Sequence, residues 1–224
     1  MISVLISFFI TFVAYYLAKL INQKIPQIPI IVFAMLFVLI FLFGVGISYE
    51  NYLQTVNPFF NHLLGYVTVA LAIPLAVMRF DDLPLKNMSY ILVFASISAV
   101  VLPMSLAYLL HMLSGDILAF ATRAVTTPIA INIATLLEAP ISLAILIVIL
   151  SGVIGAAFSP FILKNINDER ASGLALGLAA HAIGTAQAWQ RSSTAGRYAS
   201  FGMAVNAVFT AIWLPLFLIF LLKM

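Results

Sequence analysis

The sequence predicts an all-α polytopic membrane protein with about six spanning helices plus two broken or re-entrant helical segments, residues 116–138 and 173–190. Three observations carry that prediction. Hydrophobic residues make up 64% of the 224-residue chain and charged residues 8%, where soluble domains carry about 25% charged residues. The apolar runs are continuous over roughly 20 residues, the length that crosses a bilayer as a helix, and lack the ~10-residue alternation of a membrane β-barrel. Two of the runs hold polar, helix-breaking groups at their centres: "RAVTTPIAIN" (123–132) and "HAIGTAQA" (181–188).

The elements follow in order. The opening "MISVLISFFITFVAYYLAKL" has no basic start and no small-residue cleavage site, so it reads as a retained first helix, Ile2 to Leu20, and not as a signal peptide. The second helix runs from Ile28 to Gly46. The polar stretch "SYENYLQTVNPFFNH" (48–62) reads as a connection. The third helix, Leu63 to Met78, is short and interrupted by Pro74, and "RFDDLPLKN" is a charged loop. The fourth runs from Ser89 to Leu113. The first broken segment, Asp116 to Glu138, comes next, followed by a helix from Ile141 to Leu163 and the loop "KNINDERAS". The second broken segment, Gly173 to Gln190, precedes the last helix, Ala199 to Leu222. The chain, residues 1–224, reads as a single integral membrane domain without a linker.

The net charge of +3 contains no basic cluster, so no nucleic-acid partner is expected. The chain has no cysteine, which excludes disulfides and thiolate metal sites. No metal-ligand spacing, phosphate loop or nucleophile–base signature is present. The expectation is therefore no enzyme, no cofactor and no metal.

The two broken segments match each other. "RAVTTPIA" (123–130) lies over "HAIGTAQA" (181–188) without a gap, pairing Arg123 with His181 and Thr127 with Thr185. The match is short, so chance competes with an inverted repeat. Broken helices at corresponding positions are a sequence pointer to a transporter site. Charge placement sharpens the reading. If both segments span, Lys164 and Arg170 fall outside, against the positive-inside rule. If both are re-entrant hairpins entering from opposite faces, Lys19, Lys24, Arg79, Lys86, Lys164, Arg170, Arg191 and Arg197 are all cytoplasmic. Fully spanning broken helices are the alternative.

Candidate binding residues cluster in these segments. Pro128 breaks a helix and suits the first turn of a new one. Thr126 or Thr127 would cap that half-helix, whose positive dipole end suits an anion. Arg123 would add a bidentate carboxylate partner. The bland reading is a Pro-kinked helix with threonines bonded back to the preceding turn. In the second segment Gly173 and Gly177 form a small-xxx-small packing face. His181 follows in an apolar run as an anion ligand or proton carrier, with Gly184 to open the backbone and Thr185 to bind. The bland reading is a buried histidine bonded to a neighbouring carbonyl. Secondary candidates are Thr68, Asn132, Gln187 and Asn206, for which kinking or interhelical packing is the plainer explanation. His62 and His111 read as headgroup-facing, and Trp189 and Trp213 as anchors or packing residues.

The stretches "TVALAIPL" (68–75), "RAVTTPIAINIA" (123–134), "ILSGVIGAAFSP" (149–160) and "ASGLALGLAAHAIGTAQA" (171–188) resemble the LrgB/CidB family of bacterial membrane proteins. The resemblance is strongest over residues 63–222. It implies two functional labels. One is holin- or antiholin-like control of murein hydrolase export and lysis with a small LrgA/CidA-like membrane partner. The other is transport of small monocarboxylates such as pyruvate, glycolate and glycerate. The family's signature regions fall on Thr126, Thr127 and Pro128, and on His181, Gly184 and Thr185. Two stretches depart from the family pattern, "GYVT" (65–68) and "WQRSSTAGRY" (189–198), and these bear on substrate choice and regulation.

The residues themselves favour a carrier, because a pore has no need of a paired, proline- and glycine-broken centre. The expected ligand is a small organic anion, held between two broken-helix ends and coupled to protons through His181, with Na⁺ as the other candidate ion. A homodimer in the bacterial plasma membrane is expected, by analogy with carriers that move one bundle against a stationary interface.

Overall fold

In the computed structural model of the chain the described residues are 2–25, 28–70, 73 and 85–222. The expected break at Pro74 and the loop carrying Arg79, Asp81 and Asp82 lie outside them. Among the described residues are nine helices: α1 (Ile2–Asn22), α2 (Ile30–Val45), α3 (Tyr49–Ala70), α4 (Leu85–Leu109), α5 (Ser114–Phe120), α6 (Thr127–Leu136), α7 (Ile141–Ile162), α8 (Glu169–Arg191) and α9 (Ser193–Leu222). Four stretches are long and apolar enough to cross a membrane: Val4–Asn22, Met88–Leu109, Ile141–Ile162 and Ser193–Leu218. Four of the six expected spans meet the length requirement among the described residues, and the expected third, 63–78, lies partly outside them. Helix α2 is apolar but has 16 residues, about 24 Å of rise, and α3 carries Glu50 and several amides. Among the described residues the regular structure is all helical, that of a membrane protein.

The chain divides into two compact units, Met1–Ala70 and Leu71–Met224. In the first, α1 packs on α2 and α3. The stretch 48–62, expected as a connection, is instead the start of α3. Its asparagines and Pro58 are poor helix formers, but Tyr52, Val56 and Phe60 recur at a four-residue spacing. Tyr52 and Val56 are buried with Ile10 and Leu42, and Phe60 packs against them. Tertiary burial overrides propensity there, and the Tyr52 hydroxyl adds a 2.7 Å bond to Thr11 Oγ1. His62 lies within α3, exposed, with its ring nitrogen 2.6 Å from the Pro58 carbonyl.

The second unit is built on α7, α8 and α9. Cβ atoms added at Gly173 and Gly177 would run into the backbone of Ala195 and Ala199, so the expected small-residue face brings α8 against α9 at backbone range. Helix α9 begins at Ser193, earlier than expected. Ser192 is extended (φ −164, ψ 160), and its Oγ accepts the Ala195 N–H at 3.0 Å, which makes it the cap. A buried polar group ties α9 to α4: Ser96 Oγ meets Thr210 Oγ1 at 2.8 Å and accepts the Trp213 indole N–H at 3.1 Å. Helix α4 ends at Leu109, and His111 (φ 55) takes the left-handed position after it.

Both broken segments fold back on themselves. The first is α5, a non-helical tip at 121–126, and α6. Its two ends meet: a Cβ on Gly115 would lie 3.3 Å from Pro140 Cδ. Glu138 (φ 54) closes α6 in a left-handed turn, with the Ala139 N–H donating to the Ala134 carbonyl at 2.8 Å, and Pro140 then redirects the chain into α7. The second is α8, whose hydrogen-bonded run passes through a residue with φ 38 and ψ −124, His181. A straight helix would hold Glu169 and Arg191 about 33 Å apart. Here Arg191 Nε lies 2.9 Å from Glu169 Oε1, and the Ser192 hydroxyl donates to Glu169 Oε2 at 2.8 Å. Leu176 and Ala188, from the two arms, share one buried cluster. The first hairpin opens at the N-terminal end of α7 and the second at its C-terminal end.

Candidate functional site

The tips of the two hairpins meet beside Ser151. Ser151 is ten residues into a 22-residue helix, about 15 Å along a rod of about 33 Å. The Arg123 carbonyl is the meeting point. It accepts from His181 Nε2 at 2.9 Å and from the Ser151 hydroxyl at 3.0 Å, while Ser151 Oγ and His181 Nε2 stand 3.1 Å apart. A carbonyl only accepts, so the hydrogen is assigned to Nε2.

Local sequence explains why each tip can form. The first is non-helical because Pro128 at the N-terminus of α6 cannot donate to the preceding turn. Thr126 occupies the cap position with φ −74 and ψ 153, and its carbonyl accepts from the N–H groups of Ile129 and Ala130 at 3.0 and 2.9 Å. The expected side-chain cap is absent: Thr126 Oγ1 is buried without a partner. The second tip turns at His181, a strained geometry that costs on the order of 1–3 kcal/mol and is held by the imidazole's two polar neighbours. Gly184 allows the return arm to pass the first, because a Cβ there would strike the Leu176 carbonyl. On the receiving face of α7, a Cβ on Gly152 would lie 3.0 Å from Ile183 Cδ1 and 3.2 Å from His181 Cε1.

The structure joins Arg123 to His181, the pair aligned by the internal match, through the arginine's backbone carbonyl. His181 is 2% exposed. Arg123 lines an open pocket of about 600 Å³ between α4, α5 and the first arm of α8. Its Nε is buried without a hydrogen-bond partner, and among the described residues the carboxylates paired with arginine are Asp168 and Glu169, which hold Arg170 and Arg191. Thr127 and Pro128 are half-buried at the start of α6. Thr185 is buried, its hydroxyl donating to Met203 Sδ at 3.6 Å.

Two secondary candidates find partners. Asn206, from α9, donates to the Ala124 carbonyl at 2.7 Å and leaves Oδ1 buried and unpartnered, so it fastens the first tip from a third side. Gln187 accepts from the Ser159 hydroxyl at 3.2 Å, on the return arm of α8. Asn132 is exposed. Thr68 lies in α3 and its side chain is outside the described residues. Ser151 escaped the sequence reading. A hydroxyl beside Gly152 and Gly155, midway along an apolar helix, was the available signal. Ser98, which lines the pocket, carried none.

The sequence pattern of the LrgB-like family matches residues 11–220. The chain is 31% identical to the uncharacterized protein YwbG of Bacillus subtilis (strain 168), over 97% of this chain and 98% of that one. It is 29% identical to the holin-like protein CidB of Staphylococcus aureus (strain Mu50), over 97% of each, and 27% identical to an uncharacterized protein of Haemophilus influenzae, over 92% and 91%. No solved structure matches the chain.

Proposed function

The chain belongs to the LrgB-like family, and from that premise we propose that it is a secondary carrier of small organic monocarboxylates in the bacterial plasma membrane. The observation that carries the reading is the contact of two folded-back segments, opened at opposite ends of α7, at the Arg123 carbonyl beside Ser151. Read in a membrane, both are re-entrant, and their tips form a barrier at mid-depth. Opening from either side then requires moving one hairpin, which is the geometry alternating access needs.

The guanidinium of Arg123 and the start of α6 supply positive charge beside that barrier. An ionisable group at such depth is costly and marks a functional position. Moving an anion against the membrane potential costs roughly 2.3 kcal/mol per charge per 100 mV, which a co-transported proton would offset. His181, at the tip contact, is the residue assigned to that proton.

The second reading is a holin- or antiholin-like regulator acting with a small membrane partner. What favours it is the name of the staphylococcal relative, a holin-like protein. Purified protein in proteoliposomes separates the two, with labelled pyruvate or glycolate and an imposed pH gradient. Saturable, gradient-dependent uptake that is lost in Thr127→Ala or His181→Ala supports the carrier. Leakage of an unrelated dye, or no flux until a small partner protein is added, supports the regulator and refutes the carrier.

A further inference from the structure

We propose that the first tip binds a monovalent metal cation, for which Na⁺ is the probe, through the stretch 121–126 and Asn206 of α9. Among the described residues four buried side-chain atoms lack a hydrogen-bond partner: Ser7 Oγ, Arg123 Nε, Thr126 Oγ1 and Asn206 Oδ1. Three of the four belong to this tip or to the residue that clamps it. Buried polar groups are nearly always paired, so their concentration at one place calls for a ligand. Thr126 is 6% exposed and Asn206 2%.

Arg123 Nε is a donor, but the other two orphans at the tip are oxygens. The orientation of Asn206 is fixed, because a carbonyl only accepts. Its Nδ2 faces the Ala124 carbonyl at 2.7 Å, which leaves Oδ1 as an acceptor. Pro128 explains the arrangement: it has no N–H for the carbonyl four positions back, that of Ala124, and Asn206 stands in for the missing donor. The carbonyls of Ala121 and Val125, both buried residues, receive no backbone N–H among the described residues. Thr126 caps α6 without a side-chain bond, so its hydroxyl is uncommitted. Two carbonyls, a hydroxyl and an amide oxygen are hard, neutral ligands of the kind that replace water around an alkali cation. Unwound backbone at a broken helix is where membrane carriers hold such an ion. No Asp or Glu occurs in 121–126 or 181–188, so a divalent ion would lack the carboxylates it uses. The site stands without the carrier reading, which supplies only its role: there the cation, beside the proton assigned to His181, offsets the charge of the anion.

The test uses the full chain in lipid nanodiscs, with binding of radiolabelled Na⁺ and the thermal midpoint as readouts. Choline chloride at matched ionic strength is the control, its cation being too bulky for the tip. Saturable Na⁺ binding is expected, with a midpoint that keeps rising with Na⁺ concentration above half-saturation and does not respond to choline. Thr126→Val removes the hydroxyl and keeps the shape. It should weaken Na⁺ binding about tenfold, and Thr126→Ser should restore the parent affinity. Because that hydroxyl has no partner in the fold, Thr126→Val should be at least as stable as the parent in choline chloride, which a merely structural role would not allow. Asn206→Leu should remove saturable binding altogether. The Thr126 pair carries the test by itself where loss of the Asn206 clamp unfolds the chain.

Equal midpoints in sodium and choline chloride, no saturable binding, or a Thr126→Val variant that binds Na⁺ as the parent does overturns the proposal. So does a midpoint raised by magnesium and not by sodium. Vesicle uptake is measured separately. Saturable Na⁺ binding without uptake of any labelled acid leaves the site assigned and removes the carrier reading. Uptake driven by a pH gradient in a chain that binds no Na⁺ does the reverse.

Discussion

The Arg123 carbonyl receives two donors from two elements, and a double-mutant cycle on those donors measures the tip contact. Ser151→Ala removes the hydroxyl that donates at 3.0 Å. His181→Phe keeps a ring of similar size and removes the N–H that donates at 2.9 Å. In either single variant the carbonyl retains one donor, so each should cost only a polar contact inside a membrane protein, about 0.6 kcal/mol and at most about 1.7. In the double variant the part-buried carbonyl has neither. Leaving a buried acceptor unsatisfied costs about 1–3 kcal/mol, so the double should exceed the sum of the singles by about 1–2 kcal/mol. The assay is reversible unfolding in bicelles, read as ΔG for the four proteins. Additivity within about 0.3 kcal/mol, the behaviour of independent sites, would refute the shared acceptor and with it the contact between hairpins.

Three further outcomes are expected. Because the chain has no cysteine, the pair Glu169→Cys and Arg191→Cys carries its only thiols, and a short bismaleimide should link them within one chain. A straight α8 would hold them about 33 Å apart and give no link. Gly177→Val drives a side chain into the backbone of Ala199 and should destabilise by about 1–3 kcal/mol or more, lowering the thermal midpoint in detergent, whereas Ala186→Val, at an exposed position, should leave it within error. The Asp168 carboxyl is held below its ordinary 3.8 by hydrogen bonds to Arg170, and that of Glu169 below its ordinary 4.5 by hydrogen bonds to Arg191 and Ser192. Folded values below unfolded ones mean the contribution is complete above about pH 5 and lost as pH falls through the folded values. Thermal midpoints measured from neutral pH to about pH 3 should therefore fall less steeply in Glu169→Gln than in the parent, and an equal slope would exclude a role for the ion pair.

Much of the site was legible because chemistry that is costly in an apolar run stands out one residue at a time. Arg123, Pro128 and His181 are such residues, and the gapless match placed the arginine and the histidine opposite each other. The match could not tell which atoms would meet. The two segments touch through the Arg123 carbonyl, because a chain breaking helix at a tip exposes its backbone acceptors, and no pattern of side chains announces such an atom. Ser151 carries no distinct signal because its hydroxyl could equally have bonded back along α7, as that of Thr135 does to Ile131 in α6 at 2.8 Å. In α3 the polar residues of 48–62 masked a four-residue apolar spacing that burial against α1 and α2 turned into a helix.

The sequence by itself determined that this chain is a membrane protein built of helices, where two of its segments break, and which family it joins. Those properties are sums over composition, or consequences of one residue's covalent geometry such as Pro128. Only the tertiary structure decided what each break does. Whether α8 continues or turns back rests on one pair of dihedrals at His181. That strained pair is held by Ser151, 30 positions earlier, and by the Arg123 carbonyl, 58 positions earlier. Such contacts have no local signature, since they exist only once α7 has set the two tips at the same height.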